Sequence, residues 1–347
     1  MFCIGERTEC CNFARRTRQH GISRLRCSKM FGTIRSVMSL IDILIQMLII
    51  FGVVMVGYGA TRLGVWKTEM NRPISVFVLN VTCPMLIIGS VMGDGLQFSN
   101  REIMQLMLVA LLNYVVLIVA AIAIARIWRV RPSDRGLQKF MLTFGNVTFI
   151  GFPASAAIFG ERAVFYASVL GIPFNLLIFT VGLSFITEQP IRSVFKPKVL
   201  FSPCVVASII AVVLALLKVQ TPVPVSKFFH LVGDMTIPCA LILIGATLAT
   251  IPLRDMVGNR FVFTVASLKL LVLPLVVWGF FSLFSFDSFV TNVAVVLTGM
   301  PVAANGIMLC LKHGKDEHLM TQVIFMTTLL SLFTIPMIAY FLKFVAA

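Results

Sequence analysis

Ten long windows without Asp, Glu, Lys or Arg dominate this chain and limit what it can fold into. Each window is close to the roughly 17–25 apolar residues that cross a bilayer as an α-helix, and none alternates like an outer-membrane β-strand. Only 12% of the 347 residues are charged and 59% are hydrophobic, whereas soluble domains average about 25% charged residues. The sequence therefore predicts an all-α membrane protein with ten transmembrane helices, numbered here as spans 1 to 10. Their windows run over 42–62, 72–94, 102–126, 139–161, 162–188, 198–218, 234–254, 269–287, 287–312 and 317–343.

The Lys and Arg residues fall mainly in alternate loops between these windows. Because short cytoplasmic loops hold an excess of Lys and Arg, we expect the basic loops to be cytoplasmic and both ends of the bundle to face outward. The net charge of +15 is then mostly a topology signal, and no nucleic-acid partner is expected. The basic set comprises loops 59–72, 126–139, 189–199, 251–259 and 312–317.

Residues 1–37 form a basic N-terminal extension that does not fit this orientation. Three interpretations remain open: a cytoplasmic arm, the n-region of a signal peptide, or an upstream extension with translation starting at Met30 or Met38. We favour the last, and expect that deleting residues 1–37 preserves insertion and transport.

Short proline motifs recur in the same order in the two halves of the chain. Thr82–Pro84 in span 2 corresponds to Thr236–Pro238 in span 7, and Gly151–Pro153 in span 4 matches Gly299–Pro301 in span 9. Because each half holds five spans, an odd number, the second half must enter the membrane upside down. The sequence therefore predicts two inverted five-helix repeats, residues 38–190 and residues 191–347.

Spans 4 and 9 are expected to be broken helices that cross, because each contains a proline close to a glycine. Proline removes a backbone donor and glycine lets the chain leave helical geometry. Matched interruptions in two halves point to a transporter's binding site, and the N-terminus of each half-helix favours an anion. The candidate substrate-binding residues are Asn146, Thr148, Gly151, Pro153, Ser155, Thr298, Gly299, Pro301 and Asn305.

Two charged residues are predicted to lie inside the membrane. Asp234 and Lys269 stand at the start of the charge-free windows of spans 7 and 8, but each is expected to lie about ten residues into its helix. The two helices run in opposite directions, which brings both residues to similar depth. An ionised side chain at mid-bilayer costs at least about 2.5–3.5 kcal/mol, so we expect an intramembrane charge pair. The alternative is that they snorkel to an interface. Asn113 in span 3 and Asn175 in span 5 are secondary polar candidates that could also simply link helices.

Several short runs in spans 4, 5, 7 and 8 form a recognisable set. They are Phe144–Pro153, Phe159–Gly160, Phe165–Ser168 and Ile172–Asn175, and in spans 7 and 8 Thr236–Pro238, Leu243–Leu248 and Lys269–Leu270 before Pro274. Together these runs resemble the auxin efflux carrier family. The resemblance covers about residues 38–345. The resemblance implies two inverted five-helix repeats whose fourth helices cross near the midplane, and it extends to prokaryotic malonate and malate permeases. The long hydrophilic loop of plant auxin exporters is missing between spans 5 and 6, which favours a small organic anion as substrate.

The sequence thus predicts a secondary transporter that moves a small organic anion, such as a mono- or dicarboxylate, across the plasma membrane by alternating access. It contains no HExxH, GxSxG or Walker motif, so no enzyme activity, cofactor or metal site is expected. Expected partners are the anion and the lipid bilayer; H⁺ or Na⁺ as coupling ion and a homodimer remain open.

Two other functions are considered. A sodium or proton antiporter can share inverted repeats and crossed helices, but it should carry an acidic pair near the crossing, and spans 4 and 9 contain no carboxylate. A non-transporting membrane sensor or scaffold should show no substrate flux.

Overall fold

The computed structural model describes residues 45, 48–92, 99–128, 130–194, 201–219, 221–250 and 260–345. Residues 46–347 belong to one compact unit, and all the helices below lie in it. The predicted extension 1–37 and the predicted loop 251–259 lie outside the described residues.

The first half of the chain forms six helices. Helix α3 begins with a capping box in which Ser99 and Glu102 satisfy each other's backbone N–H groups, and α4 begins with Pro132, which fits a first helical turn because its missing N–H would have no partner there. A single helical turn follows at Ile191–Val194. The helices are α1 (Leu48–Arg62), α2 (Thr68–Gly89), α3 (Asn100–Ile127), α4 (Pro132–Thr143), α5 (Val147–Phe159) and α6 (Arg162–Thr187).

The second half of the chain forms six more described helices. Helix α8 turns at Asp234 and Met235 and then continues, and Asp287 caps α10 by accepting hydrogen bonds from two backbone N–H groups of its first turn. The helices are α7 (Pro203–Leu217), α8 (Val223–Ala249), α9 (Arg260–Ser282), α10 (Ser288–Thr298), α11 (Asn305–His313) and α12 (Glu317–Val345).

Six of the described helices have the length and composition of a membrane span. Helices α2, α3, α6, α8, α9 and α12 are long and apolar enough to cross a bilayer, and α1, α5, α7 and α10 are shorter apolar helices in the four remaining windows. Large apolar side chains such as Met104, Leu111 and Val119 lie exposed along α3, as expected where the solvent is lipid. The all-α class is confirmed for the described residues, which contain no strand beyond one isolated backbone bridge.

Charged residues are poorer markers of helix ends than the sequence suggested. Helices α8 and α9 begin before Asp234 and Lys269 and carry both residues in their interiors. Helix α4 starts at Pro132, inside the predicted loop 126–139. Backbone geometry and capping residues determine where a helix ends. A single charged residue inside the helix is tolerated when the charged side chain reaches water or a partner.

Three prolines inside long helices each follow a wide, π-helical turn. These turns cover Val78–Thr82 before Pro84, Val147–Gly151 before Pro153, and Leu268–Val272 before Pro274. A proline ring clashes with the carbonyl four residues earlier in a regular α-helix, and the wider turn makes room for it. These helices therefore continue beyond their prolines without a break.

Small residues allow close packing among the helices around α8. A Cβ atom on Gly57 would collide with the Ile242 backbone, and one on Gly245 would collide with the Val54 carbonyl, so α1 and α8 touch through their backbones. Farther along α8, Gly233 lies directly against Leu86 of α2 in the same way.

Candidate functional site at a helix crossing

Two helices are interrupted inside the bundle, and their interruptions meet. Helix α4 ends at Thr143 and α5 begins at Val147; α10 ends at Thr298 and α11 begins at Asn305. The extended residues between them pair at Gly145 and Val302 as an antiparallel bridge. This pairing places the interrupted part of span 4 directly against that of span 9.

Backbone groups freed by the two interruptions bond to each other. The N–H of Asn146 donates to the carbonyl of Pro301 at 2.6 Å, and the N–H of Ala303 donates to the carbonyl of Phe144 at 3.0 Å. The Val302 N–H donates to the buried hydroxyl of Thr327 on α12 at 3.1 Å. Non-helical backbone at membrane depth persists only where such partners exist, and this crossing supplies them.

The break in span 4 lies at residues 144–146, before the proline that the sequence singled out at position 153. Gly151 and Pro153 belong to a continuous run in which the π-helical turn leads directly into the rest of α5. The helix instead leaves regular geometry at Phe144, Gly145 and Asn146. In span 9 the predicted position of the break agrees better with the structure, because Gly299 and Pro301 both lie in the non-helical segment.

Glycines at the crossing permit close packing. A Cβ on Gly145 would lie 3.3 Å from the Cβ of Met300 and 3.4 Å from the Nζ of Lys269. A Cβ on Gly151 would lie 2.8 Å from Leu297, and one on Gly299 would lie 2.7 Å from Ile338. The predicted role of Gly151 in breaking the helix is therefore replaced by a packing role.

A small cavity of about 10 Å³ lies beside the crossing. This volume is about that needed for one water molecule. Its lining comes from the end of α4, the start of α5, the end of α10 and the neighbouring helices α3, α6 and α9. The lining residues are Asn113, Tyr114, Leu117, Thr143, Gly145, Val147, Leu170, Lys269, Leu297 and Thr298.

Lys269 brings an amine to this cavity. Its side chain is fully buried, and its Nζ donates to the carbonyl of Leu142 at 3.2 Å. That carbonyl belongs to the last turn of α4, which has no intrahelical donors left and carries the negative end of the helix dipole. The α4 terminus thus supplies the acceptor for this buried amine.

The predicted pair between Asp234 and Lys269 is not formed. Asp234 is exposed at the turn inside α8, whereas Lys269 is buried and bonds to Leu142. Sequence position gives the depth of a residue along its helix but not the direction in which it points around the axis. The pairing hypothesis used only depth, and it is wrong for this reason.

Asn113 and Thr298 supply the neutral polar groups of the cavity. The Thr298 hydroxyl lies 3.1 Å from the Asn113 Oδ1 and 2.9 Å from the Ala294 carbonyl. Both side chains are buried. The Asn113 side-chain nitrogen makes no hydrogen bond to any described residue, and Asn113 lines the cavity. Asn113, a secondary candidate from the sequence, therefore joins the site.

The other predicted polar residues lie around the crossing but not in the cavity. Asn146 caps α5, because its Oδ1 accepts from the Phe149 N–H at 3.2 Å. Asn305 is the first residue of α11 and is half-buried. Asn175 on α6 donates to the carbonyl of Gly171 within its own helix at 3.0 Å.

Thr148, Pro153 and Ser155 lie along α5, beyond the cavity lining. Thr148 is half-buried and Pro153 is buried. Ser155 is fully buried, and its hydroxyl finds no hydrogen-bond partner among the described residues.

Sequence reasoning missed Tyr114, Thr143 and Gly145 as part of the site. Tyr114 stacks on Phe144 at a ring distance of 6.4 Å, and Thr143 ends α4. Gly145 stood inside the run that carried the family resemblance, directly before Asn146. The sequence signal that could have pointed to Gly145 was a glycine next to a polar residue in an apolar window.

A larger basic cleft opens at the other end of α4. It has a volume of about 550 Å³ and is bounded on the far side by the end of α6. Arg135, Lys139 and Thr143 follow at four-residue spacing on α4, so one face of this helix runs from the cleft to the central cavity. The lining residues are Pro132, Arg135, Lys139, Ser184, Phe185, Glu188, Gln189 and Pro190.

A third cavity, of about 60 Å³, is apolar. Residues of α1, α5, α8 and α12 form it, among them Val54, Ala154 and Ile244, and its lining contains no charged side chain. Among the described residues, no group of three or more His, Cys, Asp or Glu side chains is placed to hold a metal ion.

An apolar helical bundle in which two interrupted helices meet at their interruptions, with a buried lysine beside them, has the architecture of a membrane transporter. Comparison with known families gives the same class. The sequence profile of the family described as "Membrane transport protein" matches residues 42–195 and 187–339. The chain belongs to this family of transporters, and the resemblance to the auxin efflux carriers is confirmed.

Three curated relatives share nearly the full length of the chain. An "Uncharacterized transporter" of Methanothermobacter thermautotrophicus is 29% identical over 295 residues, which is 82% of this chain and 93% of that protein. A "Putative malonate transporter" of Rhizobium meliloti is 24% identical over 303 residues, which is 84% of this chain and 93% of the relative. An "Uncharacterized transporter" of Methanocaldococcus jannaschii is 25% identical over 298 residues, which is 84% of this chain and 96% of the relative.

Proposed function

We propose that this transporter moves small carboxylates across the plasma membrane and binds them at the cavity beside the crossing. The observation that carries the proposal is Lys269, a fully buried lysine whose cavity lining contains no Asp or Glu. An unpaired buried charge is strongly unfavourable, and a carboxylate ligand would neutralise it. Charge-assisted hydrogen bonds of this kind are roughly twice as strong as neutral ones.

Neighbouring groups fit the same ligand. Val147 lines the cavity at the first residue of α5, and the N-terminus of a helix favours negative charge. The Asn113 amide and the Thr298 hydroxyl add neutral hydrogen-bonding groups without a competing negative charge. Asn113, Thr143, Thr298 and Lys269 are the side chains we expect to contact the anion.

The substrate class is a short mono- or dicarboxylate. The Rhizobium meliloti relative is named for malonate, which makes malonate the first substrate to test. A malonate ion is larger than a cavity of about 10 Å³. The site must therefore widen towards one side of the membrane at a time, which is alternating access.

We also propose the ten-span arrangement of two inverted five-helix repeats as the framework of this movement. Its support is the pairing of the two interruptions, one from each half, through Gly145 and Val302. Inverted repeats let one bundle rock against the other around a fixed central site.

Two alternatives are less well supported. A cation antiporter needs carboxylates at the crossing, and the cavity lining has none. A sensor or scaffold would carry no flux, and the uptake measurement below separates it from a transporter.

The test is uptake of radiolabelled malonate into proteoliposomes that contain the wild type, Lys269→Gln or Lys343→Gln. Lys343 is the matched control, because it is an exposed lysine near the end of α12. A hydrogen bond to a charged group is worth about 1.5–3 kcal/mol, so Lys269→Gln should weaken apparent malonate affinity by about tenfold or more. Wild-type uptake from Lys269→Gln, at equal protein insertion, would contradict this site.

A further inference from the structure

We infer that Lys269 also carries a proton, so that each carboxylate crosses the membrane together with one H⁺. The inference rests on the proposed function, since it assigns the coupling ion to the same site. It follows from the surroundings of the amine after the anion has left.

Among the residues that the structure describes, Lys269 has one hydrogen-bond acceptor and no counter-ion. Its side chain is 0% exposed and its Nζ bonds to the Leu142 carbonyl. An ammonium group needs three acceptors and a balancing charge to be stable at this depth. A neutral amine can keep the bond to Leu142, because it still has N–H groups to donate. The site without its anion therefore favours the neutral amine, and the site with its anion favours the ammonium.

No other described acid or base compensates for this charge. Tyr114, from α3, is the other titratable residue that lines the cavity. The described parts of the chain contain no ion pair to Lys269. The titratable groups on the two helices that pack against Leu268–Val272 are Asp134, Arg135 and Lys139 on α4, and Glu317, His318, Tyr340 and Lys343 on α12.

None of those groups is among the residues that line the central cavity. Arg135 and Lys139 line the basic cleft, and Asp134 lies in the first turn of α4. Glu317, His318 and Lys343 are exposed at the two ends of α12. Proton exchange at the crossing therefore falls to Lys269.

The resulting cycle balances protons. On the side with more protons, the Nζ of Lys269 takes one H⁺ from water as the anion binds, and the ammonium neutralises one carboxylate group while the loaded site crosses. A dicarboxylate such as malonate carries its second negative charge across with it. On the other side the carboxylate leaves, and the ammonium returns its H⁺ to water. The site then returns empty with a neutral amine. One proton moves in the same direction as each carboxylate, and no other reactant is required.

Sodium suits this position poorly. A sodium ion in a transporter is held by unwound carbonyls and carboxylates, and the carbonyls of Phe144 and Pro301 at this crossing already accept backbone N–H groups. A nearby ammonium group would also repel it.

The test measures malonate accumulation in proteoliposomes with the membrane potential clamped at zero. With one coupled proton, a gradient of one pH unit, alkaline inside, should drive about tenfold accumulation in the wild type, because a tenfold concentration ratio has the same free energy for either solute. Malonate uptake should also acidify the lumen, as measured with a trapped pH dye. A sodium gradient should have no effect.

The decisive variant is Lys269→Arg, because an arginine stays charged. Its accumulation ratio in the pH gradient should fall to about one, because a site that stays charged can cross with the anion but cannot return empty. Lys269→His, which is shorter and titrates near pH 6.5, should move the optimum of net uptake to lower pH. Lys343→Arg is the control for both.

Each outcome has a separate meaning. Malonate transport that ignores the pH gradient, or follows sodium, overturns the coupling but leaves the proposed function standing. Full pH-driven accumulation by Lys269→Arg, or an unmoved pH optimum for Lys269→His, shows that the proton travels elsewhere. No malonate transport by the wild type removes the proposed function itself.

Discussion

Gly145 lies where the two interrupted segments pack tightly against each other. A Cβ added there would lie 3.3 Å from the Met300 Cβ and 3.4 Å from the Nζ of Lys269. Its partner in the antiparallel bridge is Val302 of span 9. An added methyl group would therefore require these neighbours to shift.

Replacing Gly145 by alanine should therefore slow transport while the protein still inserts. Overpacking a tight site costs about 1–3 kcal/mol, so we expect roughly a tenfold loss of malonate uptake at equal expression. Gly279→Ala is the matched control, because a Cβ there meets nothing within 4 Å. Equal uptake by both variants would show that the close contact at Gly145 does not matter for transport.

The sequence identified Lys269 as a residue of interest, but it did not identify the groups that surround this lysine. A lysine in an apolar window is a functional signal because of its cost, and the structure places it in the central cavity. Its acceptor is the backbone carbonyl of Leu142. Backbone acceptors carry no sequence signal, so the search for a partner found Asp234 instead.

Among the elements, helix α4 links the basic cleft to the central cavity. Arg135 and Lys139 face the basic cleft, and Thr143 on the same helix face lines the central cavity. The Lys139 ammonium also lies 5.7 Å from the Phe185 ring centre, over the cleft wall. Glu188 is the one acidic residue in that lining, so the cleft is positive on balance and should attract anions.

Arg135→Gln should therefore raise the KM for malonate on the side of this cleft, by about two- to fivefold at low salt, with little change in the maximal rate. Electrostatic attraction of this kind is screened within about 8–10 Å at physiological salt. The effect should shrink as salt is added. Arg126→Gln on α3 is the control, because Arg126 is exposed and lies outside the cleft lining. A salt-independent change, or an equal change in the control, would argue against attraction by the cleft.

Helix breaks are only partly predictable from prolines. The sequence located the interruptions in spans 4 and 9 because of their paired glycine and proline motifs. In span 4 the proline is absorbed by the turn Val147–Gly151, whereas the break occurs where Gly145 must admit Met300. The break depends on a neighbour from the other half of the chain, and such tertiary contacts cannot be read from local residue types.

For the whole molecule, composition was sufficient to predict a helical membrane protein. The charge-free windows each contain one described apolar helix or pair of half-helices, because burying a backbone in lipid requires a helix. Helix lengths were less predictable, since α8 and α9 extend past the charges of Asp234 and Lys269.

Membrane orientation is the whole-molecule property that the charge pattern addresses most directly. Arg131 is exposed just before α4, in a loop expected to be cytoplasmic, and Lys218 is exposed after α7, in a loop expected to face outward. In a background with all eight cysteines replaced, an impermeant maleimide added to intact cells should label Lys218→Cys and leave Arg131→Cys unlabelled until the membrane is opened. The two variants control for each other, because both sites are exposed. Labelling of Arg131→Cys from outside would invert the orientation, and it would place the basic cleft of α4 on the outer face, where it would attract anions for uptake rather than for export.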